Sequence, residues 1–579
     1  MRILLLTHAY NSLTQRLWAE LTGRGHDISI EFDIADSVAE EAVALFKPQL
    51  IVAPYLRRAI PESIWSKHLC LIVHPGPVGD GGPSALDWAI QKGVAEWGVT
   101  VLQAEAEMDA GPVWASVNFP MRAVKKSSIY RNEVTEAASA AVLLAVERFQ
   151  SGDFKPQRPE KRNWQPLMKQ ADRAIDWHTD TTATVLAKIN AADGFPGVAD
   201  TLFGQPCHVF DACAESELKG VPGEIIARRE TALLRATIDG AVWIGHVKRP
   251  GGIKLPATLA FAVEASTVSP ASALCVPAGT SDGWWRVKYD TPYETWQDIA
   301  YEEAERVGYL YFDFYNGAMS TPQCQRLQAA LAWAKARPVR VLVLMGGRDF
   351  WSNGIHLNVI EQASLSGGSA ADESWHNINA MDDLTRELID SPYQLTIAAV
   401  SGNAGAGGCF LARAADGLWV RDGAILNPHY KNMGNLYGSE YWSYLLPRRV
   451  GHEKAAAIMR DRQPMTAARA LASVFSDATL GGDAEAFRSD VMRRASALAH
   501  DANFAMTLIS KRAARAEDEE DKPLAAYRAE ELAMMQRNFY GFDPSYHVAR
   551  HHFVQKSLAS WTPRHLARHR DLGWKVPEE

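Results

Sequence analysis

The sequence is poor in cysteine and lacks the spacings that give cysteine a structural role. Its 579 residues include only six cysteines, and none of them forms a Cys-x-x-Cys pair. This pattern excludes the common ligand spacing of a zinc site and disfavours a disulfide framework. We therefore predict that the protein binds no metal and works in a reducing cytoplasm.

Long apolar runs and an excess of basic charge are absent as well. No segment approaches about 18 consecutive apolar residues, the length that predicts a membrane-spanning helix. The formal net charge is −8 at pH 7, whereas domains that bind nucleic acid usually carry a basic face. We therefore predict neither a membrane nor a nucleic acid as a partner.

Two predicted strands end in residues that can carry chemistry. The apolar residues 69–73 predict a buried strand that stops at His74, because Pro and Gly follow it. A second predicted strand, 99–102, leads into an acidic loop that ends at Asp109. Open α/β sheets build their sites at strand ends, so we expect both side chains to face one cleft. There the imidazole polarises a carbonyl, and the carboxylate fixes the imidazole and moves a proton.

These segments resemble the formyltransferases that use N10-formyltetrahydrofolate. The segments that carry the resemblance are IVAPYL at 51–56, the turn at His74 and MDAGPV at 108–113. The resemblance implies a doubly wound α/β domain, N10-formyltetrahydrofolate as the formyl donor, and catalytic roles for His74 and Asp109. That family has an Asn two residues before the His, where this sequence has Ile72, so one donor to the oxyanion is missing.

Changes of composition predict several domains in one α/β chain. The charged, Pro-containing segment 151–166 predicts a linker, and the short strands that follow it predict a small β-barrel. This part resembles the barrel domain that follows the catalytic domain in methionyl-tRNA formyltransferases. The predicted divisions are a formyltransferase-like domain at 1–165, a small β-barrel domain at 166–275, a linker at 276–295, a further α/β domain at 296–490 and a C-terminal helical region at 491–579.

Beyond the second linker, two Gly-rich segments each follow a predicted buried strand. They are GGRDFWSNGIHL at 346–357 and GNAGAGGCF at 402–410. Both resemble the crotonase (enoyl-CoA hydratase/isomerase) superfamily, which implies a spiral α/β domain and a coenzyme A thioester as ligand. The resemblance also implies that the backbone N–H groups of Ile355 and Gly407 bind the thioester oxygen, as fixed dipoles do in any oxyanion hole.

The acid and base of this second site do not follow the hydratase pattern. Hydratases carry two glutamates where this sequence has Phe410 and His429, so addition of water is disfavoured. We predict Tyr430 and Glu440 as the proton-transfer pair, because a carboxyl among aromatic residues has a raised pKa. Two alternatives stay open. Glu440 binds only the amides of its own helix start, or His429 or Tyr437 carries the proton.

Three further features have two interpretations each. The glycine run at 79–83 brings backbone close to a ligand or forms a surface turn. The segment KKSS at 125–128 precedes a helix with Arg131, which is our candidate for binding an anionic cofactor, or it is an ordinary helix start. The basic, aromatic tail after Tyr546 binds coenzyme A phosphates or packs as a helical end.

The two halves together resemble a family of [NiFe]-hydrogenase maturation factors over nearly the whole chain. The resemblance implies that formyl passes from N10-formyltetrahydrofolate to coenzyme A, and that formyl-CoA then releases CO for the hydrogenase iron. It also implies other hydrogenase maturation proteins as partners. Two alternatives remain. The first is a formyltransferase for an amine acceptor, with the crotonase half as a coenzyme A-binding scaffold. The second is a non-catalytic assembly protein.

Overall fold

The computed structural model describes residues 1–271 and 295–571. Most of the linker predicted at 276–295 lies outside the described residues. Three sheet-based parts follow one another along the chain, and helices close its C-terminal side. Within the described ranges no helix is both long and apolar enough to cross a membrane.

The first part is a six-stranded sheet covered by helices on both faces. Ile3 and Leu5 point into one apolar cluster, and Leu4 and Leu6 into another, which is why the first strand is apolar throughout. The spatial order of the strands is Asp27–Phe32, Arg2–Thr7, Leu50–Tyr55, Cys70–His74, Glu96–Gln103 and Val113–Pro120. The helical segments are Ser12–Gly23, Asp36–Phe46, Glu62–Trp65, Ala85–Gln91, Lys126–Ile129, Tyr130–Val134 and Thr135–Ser151. The predicted doubly wound α/β fold is confirmed.

The fifth strand of this sheet runs in a direction that sequence reasoning missed. The first four strands are parallel, but Glu96–Gln103 is antiparallel to Cys70–His74. His74 therefore pairs with Thr100. The acidic loop begins after Gln103, at the end of the strands opposite to His74. The loop that carries Asp109 therefore has to turn back to reach His74.

The second part is an antiparallel sheet rather than a closed barrel. Its order is Ile225–Arg229, Ala232–Ala236, Ala241–Lys248, Gln205–Glu215 and Val198–Leu202, with Lys254–Pro256 paired to Ala241–Lys248. No pairing joins the two edge strands among the described residues. The helical segments are Gln170–Arg173, Thr182–Ala192, Ala257–Ala260 and Ala262–Ser266.

The third part has two sheets, as a crotonase-type spiral requires. The larger has the order Ile299–Ala304, Val307–Phe312, Val341–Gly346, Leu395–Val400, Gly417–Arg421 and Ala478–Leu480, and the smaller Phe350–Ser352, Asn403–Gly405, Ile425–Asn427 and Met465–Thr466. Leu342 and Leu344 pack on one side of the larger sheet, and Val341 and Val343 on the other. The helical segments are Tyr315–Gly317, Thr321–Lys335, Leu357–Leu365, Ala370–Ile389, Gly407–Arg413, Trp442–Val450, His452–Asp461 and Ala467–Ala472.

The C-terminal helices pack on the third part, and the final segment returns to the first. The helices are Ala484–Ala499, Phe504–Asp521, Leu524–Tyr540, Ser545–Gln555 and the short turn Arg568–Arg570. The first of them crosses residue 490 and packs on the larger sheet through Phe487 and Val491. At the other end, Ile30 donates a backbone hydrogen bond of 3.0 Å to Leu566, and Leu566 belongs to the core of the first sheet. The two ends of the chain are therefore held together.

Candidate active sites

The first candidate site is a buried histidine between two carboxylates. His74 is only 5% exposed and lies at the end of its strand. Its Nδ1 is 3.6 Å from Asp109 Oδ2, and its Nε2 is 3.0 Å from Asp80 Oδ2. The loop after residue 103 therefore does turn back, and it brings the two predicted side chains together. A histidine held on both nitrogens has a fixed ring orientation, which general acid–base chemistry needs.

Asp80 is the residue that sequence reasoning missed at this site. It is buried, and its Oδ1 has no hydrogen-bond partner in the described part of the chain. A Cβ on Gly76 would come within 2.4 Å of Asp80 Oδ2 and 2.5 Å of His74 Nε2. Only glycine fits there, so the Pro-Gly turn after His74 was the signal that a third group approaches the imidazole.

The glycine run at 79–83 packs against its own chain. A Cβ on Gly79 would meet the Lys161 carbonyl oxygen at 2.3 Å, and one on Gly82 would meet the Gln165 carbonyl oxygen at 2.0 Å. Residues 80–81 pair with residues 163–164 as a short two-stranded sheet. The Gly82 N–H donates to Asp109 Oδ2 at 3.1 Å. The run thus orients Asp109 through its backbone.

The second candidate site is a buried tyrosine–glutamate pair. Tyr430 Oη lies 2.5 Å from Glu440 Oε2, and the two side chains are 6% and 1% exposed. The Tyr430 ring stacks on Phe410, with ring centres 5.7 Å apart. Burial raises the pKa of Glu440 well above its ordinary value, and the charge of Asp382 raises it further. Burial and the nearby Glu440 likewise raise the pKa of Tyr430. Both groups therefore favour their protonated forms more than they would in water, as groups that donate protons do.

The two predicted oxyanion donors lie beside this pair. A Cβ on Gly407 would come within 2.2 Å of Glu440 Oε1, and a Cβ on Gly354 would lie 3.5 Å from the Gly407 nitrogen. Neither Ile355 N–H nor Gly407 N–H has an acceptor among the described residues. Two unpaired donors next to a proton carrier are the arrangement that stabilises negative charge on a bound carbonyl oxygen.

The amides at the start of the following helix do not use the Glu440 carboxyl. Glu531 accepts hydrogen bonds from Tyr441 N–H at 2.9 Å and from Ser443 N–H at 2.8 Å. Glu440 and Tyr441 have φ values of 57° and 58°, a left-handed conformation that costs about 1–3 kcal/mol for each non-glycine residue. In this conformation the Glu440 carboxyl contacts Tyr430 and not the amides of its own helix.

Arg131 lies where the three parts of the chain meet. It donates to Asn316 Oδ1 at 2.7 Å, stacks 4.8 Å above the Phe350 ring and is 3.5 Å from Asp349. Of the lysines that precede its helix, Lys125 is bound by Asp211 and Lys126 by Asp87. Those two lysines are engaged by the protein itself.

Two lysines that sequence reasoning missed share this junction with Arg131. Burial lowers the pKa of Lys254 to about 8, and the charges of Arg131 and Lys556 lower it further against the pull of Asp193. Burial and Arg131 also lower the pKa of Lys556. Lys254 also donates to the Gly194 carbonyl oxygen and to Tyr315 Oη, both at 3.0 Å. The three positive charges come from distant parts of the sequence and disfavour one another, so an anion would stabilise them. No local motif marks Lys254, because only the fold brings it here.

Most of the basic tail is engaged by carboxylates of the protein. Glu361 binds Arg550 at 2.9 Å and His551 at 2.7 Å. Arg570 binds Glu31 at 2.7 Å and Glu41 at 2.8 Å, and Arg568 lies 3.3 Å from Asp27. These pairs fit the packed interpretation of the tail, with Lys556 as the cation that faces Arg131.

The contacts of the alternative acid–base residues involve other groups than the pair. The two ring nitrogens of His429 have no hydrogen-bond partner in the described ranges, and the ring lies near His565 and Arg462. Tyr437 packs on Trp442 at 5.4 Å, and its N–H donates to Asn538. Within the described residues no group of three or more His, Cys, Asp or Glu side chains is arranged to hold a metal ion.

His429 makes stability depend on pH in a measurable way. Burial lowers its pKa from 6.5 to about 4, so between these pH values the unfolded chain binds a proton that the folded chain does not. The free energy of unfolding therefore falls as pH falls, by about 2 kcal/mol at pH 5. We expect His429→Phe to remove this contribution to the pH dependence of the free energy of unfolding. The difference in melting temperature between pH 7 and pH 5 should then be smaller than in the wild type. An unchanged difference would contradict the prediction.

Three family models match consecutive parts of the chain. The formyl transferase model matches residues 32–146, the formyl transferase C-terminal domain residues 167–263, and enoyl-CoA hydratase/isomerase residues 315–564. Together with the His–carboxylate site in the first part and the Tyr–Glu site in the third, they define the class. The chain is an enzyme that acts on formyl groups and joins a formyltransferase half to a crotonase half.

Relatives of full length identify the family within this class. The sequence is 53% identical over 577 residues to the hydrogenase maturation factor HoxX of Bradyrhizobium diazoefficiens, covering 98% of this chain and 97% of that one. The chain belongs to the HoxX/HypX family of hydrogenase maturation factors, which confirms the predicted resemblance.

Solved structures and more distant relatives agree with this assignment. HypX from Aquifex aeolicus in complex with tetrahydrofolic acid superimposes with a TM-score of 0.93 at 45% identity, covering 100% of both chains. A methionyl-tRNA formyltransferase of Paraburkholderia phymatum is 27% identical over 229 residues, or 38% of this chain and 69% of that one. The last match corresponds to the formyltransferase half alone.

Proposed function

We propose that this chain makes carbon monoxide for the iron centre of [NiFe]-hydrogenase in two steps. Formyl passes from N10-formyltetrahydrofolate to the thiol of coenzyme A, and formyl-CoA then breaks down to CO and coenzyme A. The observation that carries the proposal is the buried Tyr430–Glu440 pair, with Oη and Oε2 only 2.5 Å apart, beside two unpaired backbone donors. A formyltransferase that merely used the third part as a scaffold would leave this pair without a task.

His74 and Asp109 carry out the first step. The thiol attacks the formyl carbon, the bond from that carbon to N10 breaks, and the thiol proton moves to the departing nitrogen. His74 polarises the formyl oxygen through Nε2, which leaves Asp80 Oδ2 when the formyl group binds, while Asp109 fixes the ring and relays the proton. A few per cent of a thiol is thiolate near neutral pH, and it is strongly nucleophilic. This makes a thiol acceptor less dependent on the oxyanion donor that Ile72 replaces.

Tyr430 and Glu440 carry out the second step. The N–H groups of Ile355 and Gly407 hold the oxygen of the formyl thioester. The protonated Glu440 carboxyl gives its proton to sulfur through Tyr430, and the pair takes up the proton of the formyl carbon as the carbon–sulfur bond breaks. One formyl thioester gives one CO and one thiol, so the step needs no oxidant, reductant or water.

The junction of Arg131, Lys254 and Lys556 binds the phosphates of coenzyme A. Each cation comes from a different part of the chain, and their mutual repulsion is relieved by an anion. Burial lowers the pKa of Lys254 and of Lys556, and a bound phosphate would favour the charged form of both lysines. We place both reactions in the cytoplasm. We expect the hydrogenase maturation proteins that handle the iron to be the partners that receive CO.

The test is to incubate the purified protein with N10-formyltetrahydrofolate, with and without coenzyme A. Tetrahydrofolate release is followed by absorbance and CO by its capture on reduced haemoglobin. We expect CO only when both substrates are present, in equal amount to the tetrahydrofolate released. Tetrahydrofolate release without CO or formyl-CoA would overturn the proposal and direct the search to an amine acceptor.

A further inference from the structure

The turn that carries Glu440 is held by two buried carboxylates from two separate helices. Asp382, on Ala370–Ile389, accepts from the Glu440 N–H at 2.8 Å, and both its oxygens lie 2.8 Å from Ser439 Oγ. Glu531, on Leu524–Tyr540, binds the amides that follow. Asp382 is 0% exposed and Glu531 is 1% exposed. Neither belongs to a motif of the sequence, and both act on the one turn that supplies the proton carrier.

The charge of Asp382 is only loosely balanced. Arg528 Nε lies 3.6 Å from Asp382, but Arg528 uses Nη1 on Asp383 at 2.6 Å and Nη2 on Asn379. A buried carboxylate without a close counter-ion disfavours a second negative charge on a neighbouring ionisable group. That neighbour is Glu440, the residue whose backbone Asp382 holds.

Other charged groups contribute less to the surroundings of this turn. The titratable and charged groups that face it from the packed elements are Cys324, Asp382, Asp383, Arg386, Tyr430, Arg528 and Glu531. After burial, Asp382 is the largest cause of the raised pKa of Glu440, ahead of Glu531. Burial raises the pKa of Asp382 itself to about 6, while the hydrogen bonds from Ser439 and the Glu440 N–H and the charge of Arg528 favour its ionised form.

We propose that Asp382 is a positioning residue of the second site, which fixes the strained turn through Ser439 and Glu440 and, through its negative charge, keeps the Glu440 carboxyl protonated. This inference rests on the proposed CO-forming step. It assigns one side chain two effects that can be separated, because the hydrogen bonds set geometry and the charge sets the pH at which Glu440 loses its proton.

The test is Asp382→Asn, which keeps the shape of the side chain and removes its charge. With the repulsion gone, the limb of the pH profile of CO formation that reports Glu440 moves to lower pH by about one unit. The rate at the optimum falls about tenfold, and tetrahydrofolate release and the KM for coenzyme A stay unchanged. The control is Asp372→Asn on the same helix, which binds only the Tyr540 hydroxyl at its exposed start.

A second variant and a second readout keep the test decisive. Ser439→Ala removes the hydroxyl contact but leaves Asp382 in place, so it lowers the rate of CO formation even where Asp382→Asn fails to fold. Infrared titration of the protonated-carboxyl band that Glu440→Gln abolishes gives the pKa of Glu440 without any turnover. A pKa unchanged by Asp382→Asn overturns the inference. If the wild-type protein makes no CO but Asp382→Asn still lowers the pKa of Glu440, the proposed function is overturned and the inference stands.

Discussion

Glu440→Gln is expected to lower CO release by about 10²–10⁴-fold, the usual contribution of a general acid–base group. Gln keeps the size of the side chain and its contact with Tyr430 but cannot give up or accept the formyl proton. The first site is distant and untouched, so tetrahydrofolate release continues for at least one turnover. Formyl-CoA then accumulates, and mass spectrometry of the quenched mixture detects it.

The control for this variant is the same change on an exposed helix. Glu517 lies in the acidic run of Phe504–Asp521 and is exposed. The variant Glu517→Gln should therefore release CO at the wild-type rate. CO release at the wild-type rate by Glu440→Gln would exclude the Tyr430–Glu440 pair as the proton carrier. Loss of tetrahydrofolate release as well would mean that the substitution disturbs the whole molecule, and a melting curve checks this.

His74→Ala is expected to abolish both products. The imidazole is the group that polarises the formyl oxygen, and loss of one such interaction lowers the rate by about 10²–10³-fold. Its two carboxylate neighbours, Asp80 and Asp109, lose their common partner, so the local charge balance fails too. Tetrahydrofolate release in the presence of coenzyme A measures the effect directly.

Supplied formyl-CoA separates the two sites in this variant. His74→Ala should still convert it to CO, because the second site is intact, whereas Glu440→Gln should not. His178→Ala, an exposed histidine of the second part, is the matched control and should keep full activity. Failure of His74→Ala to use formyl-CoA would contradict the assignment of His74 to the first step alone.

The sequence predicted those site features that depend only on neighbouring residues along the chain. His74 follows an apolar run and precedes Pro-Gly, so its place at a strand end was readable. Short-range physics was enough for this feature. The predicted roles of Ile355 and Gly407 came instead from the resemblance of their two Gly-rich segments to the crotonase superfamily.

The groups that sequence reasoning missed depend on long-range contacts. Asp80 reaches the imidazole only because Gly76 leaves room for it, and Lys254 meets Arg131 only after three parts of the chain have packed. Asp382 looks like an ordinary residue in the middle of a helix, and nothing near it in the sequence points to Glu440. The antiparallel direction of Glu96–Gln103 was likewise missed, because an apolar run has the same composition in either direction.

The docking of the final segment on the first sheet has a consequence for how the chain is made. Ser29 and Glu31, on the edge strand Asp27–Phe32, bind His569 at 2.7 Å and 2.9 Å. His569 leaves the ribosome 540 residues after Ser29, so this edge strand is covered long after it has been synthesised. Until then its edge strand presents unpaired backbone groups that can join a neighbouring chain. A fragment without the last residues should therefore aggregate during synthesis, even though every catalytic group of the first site is already present.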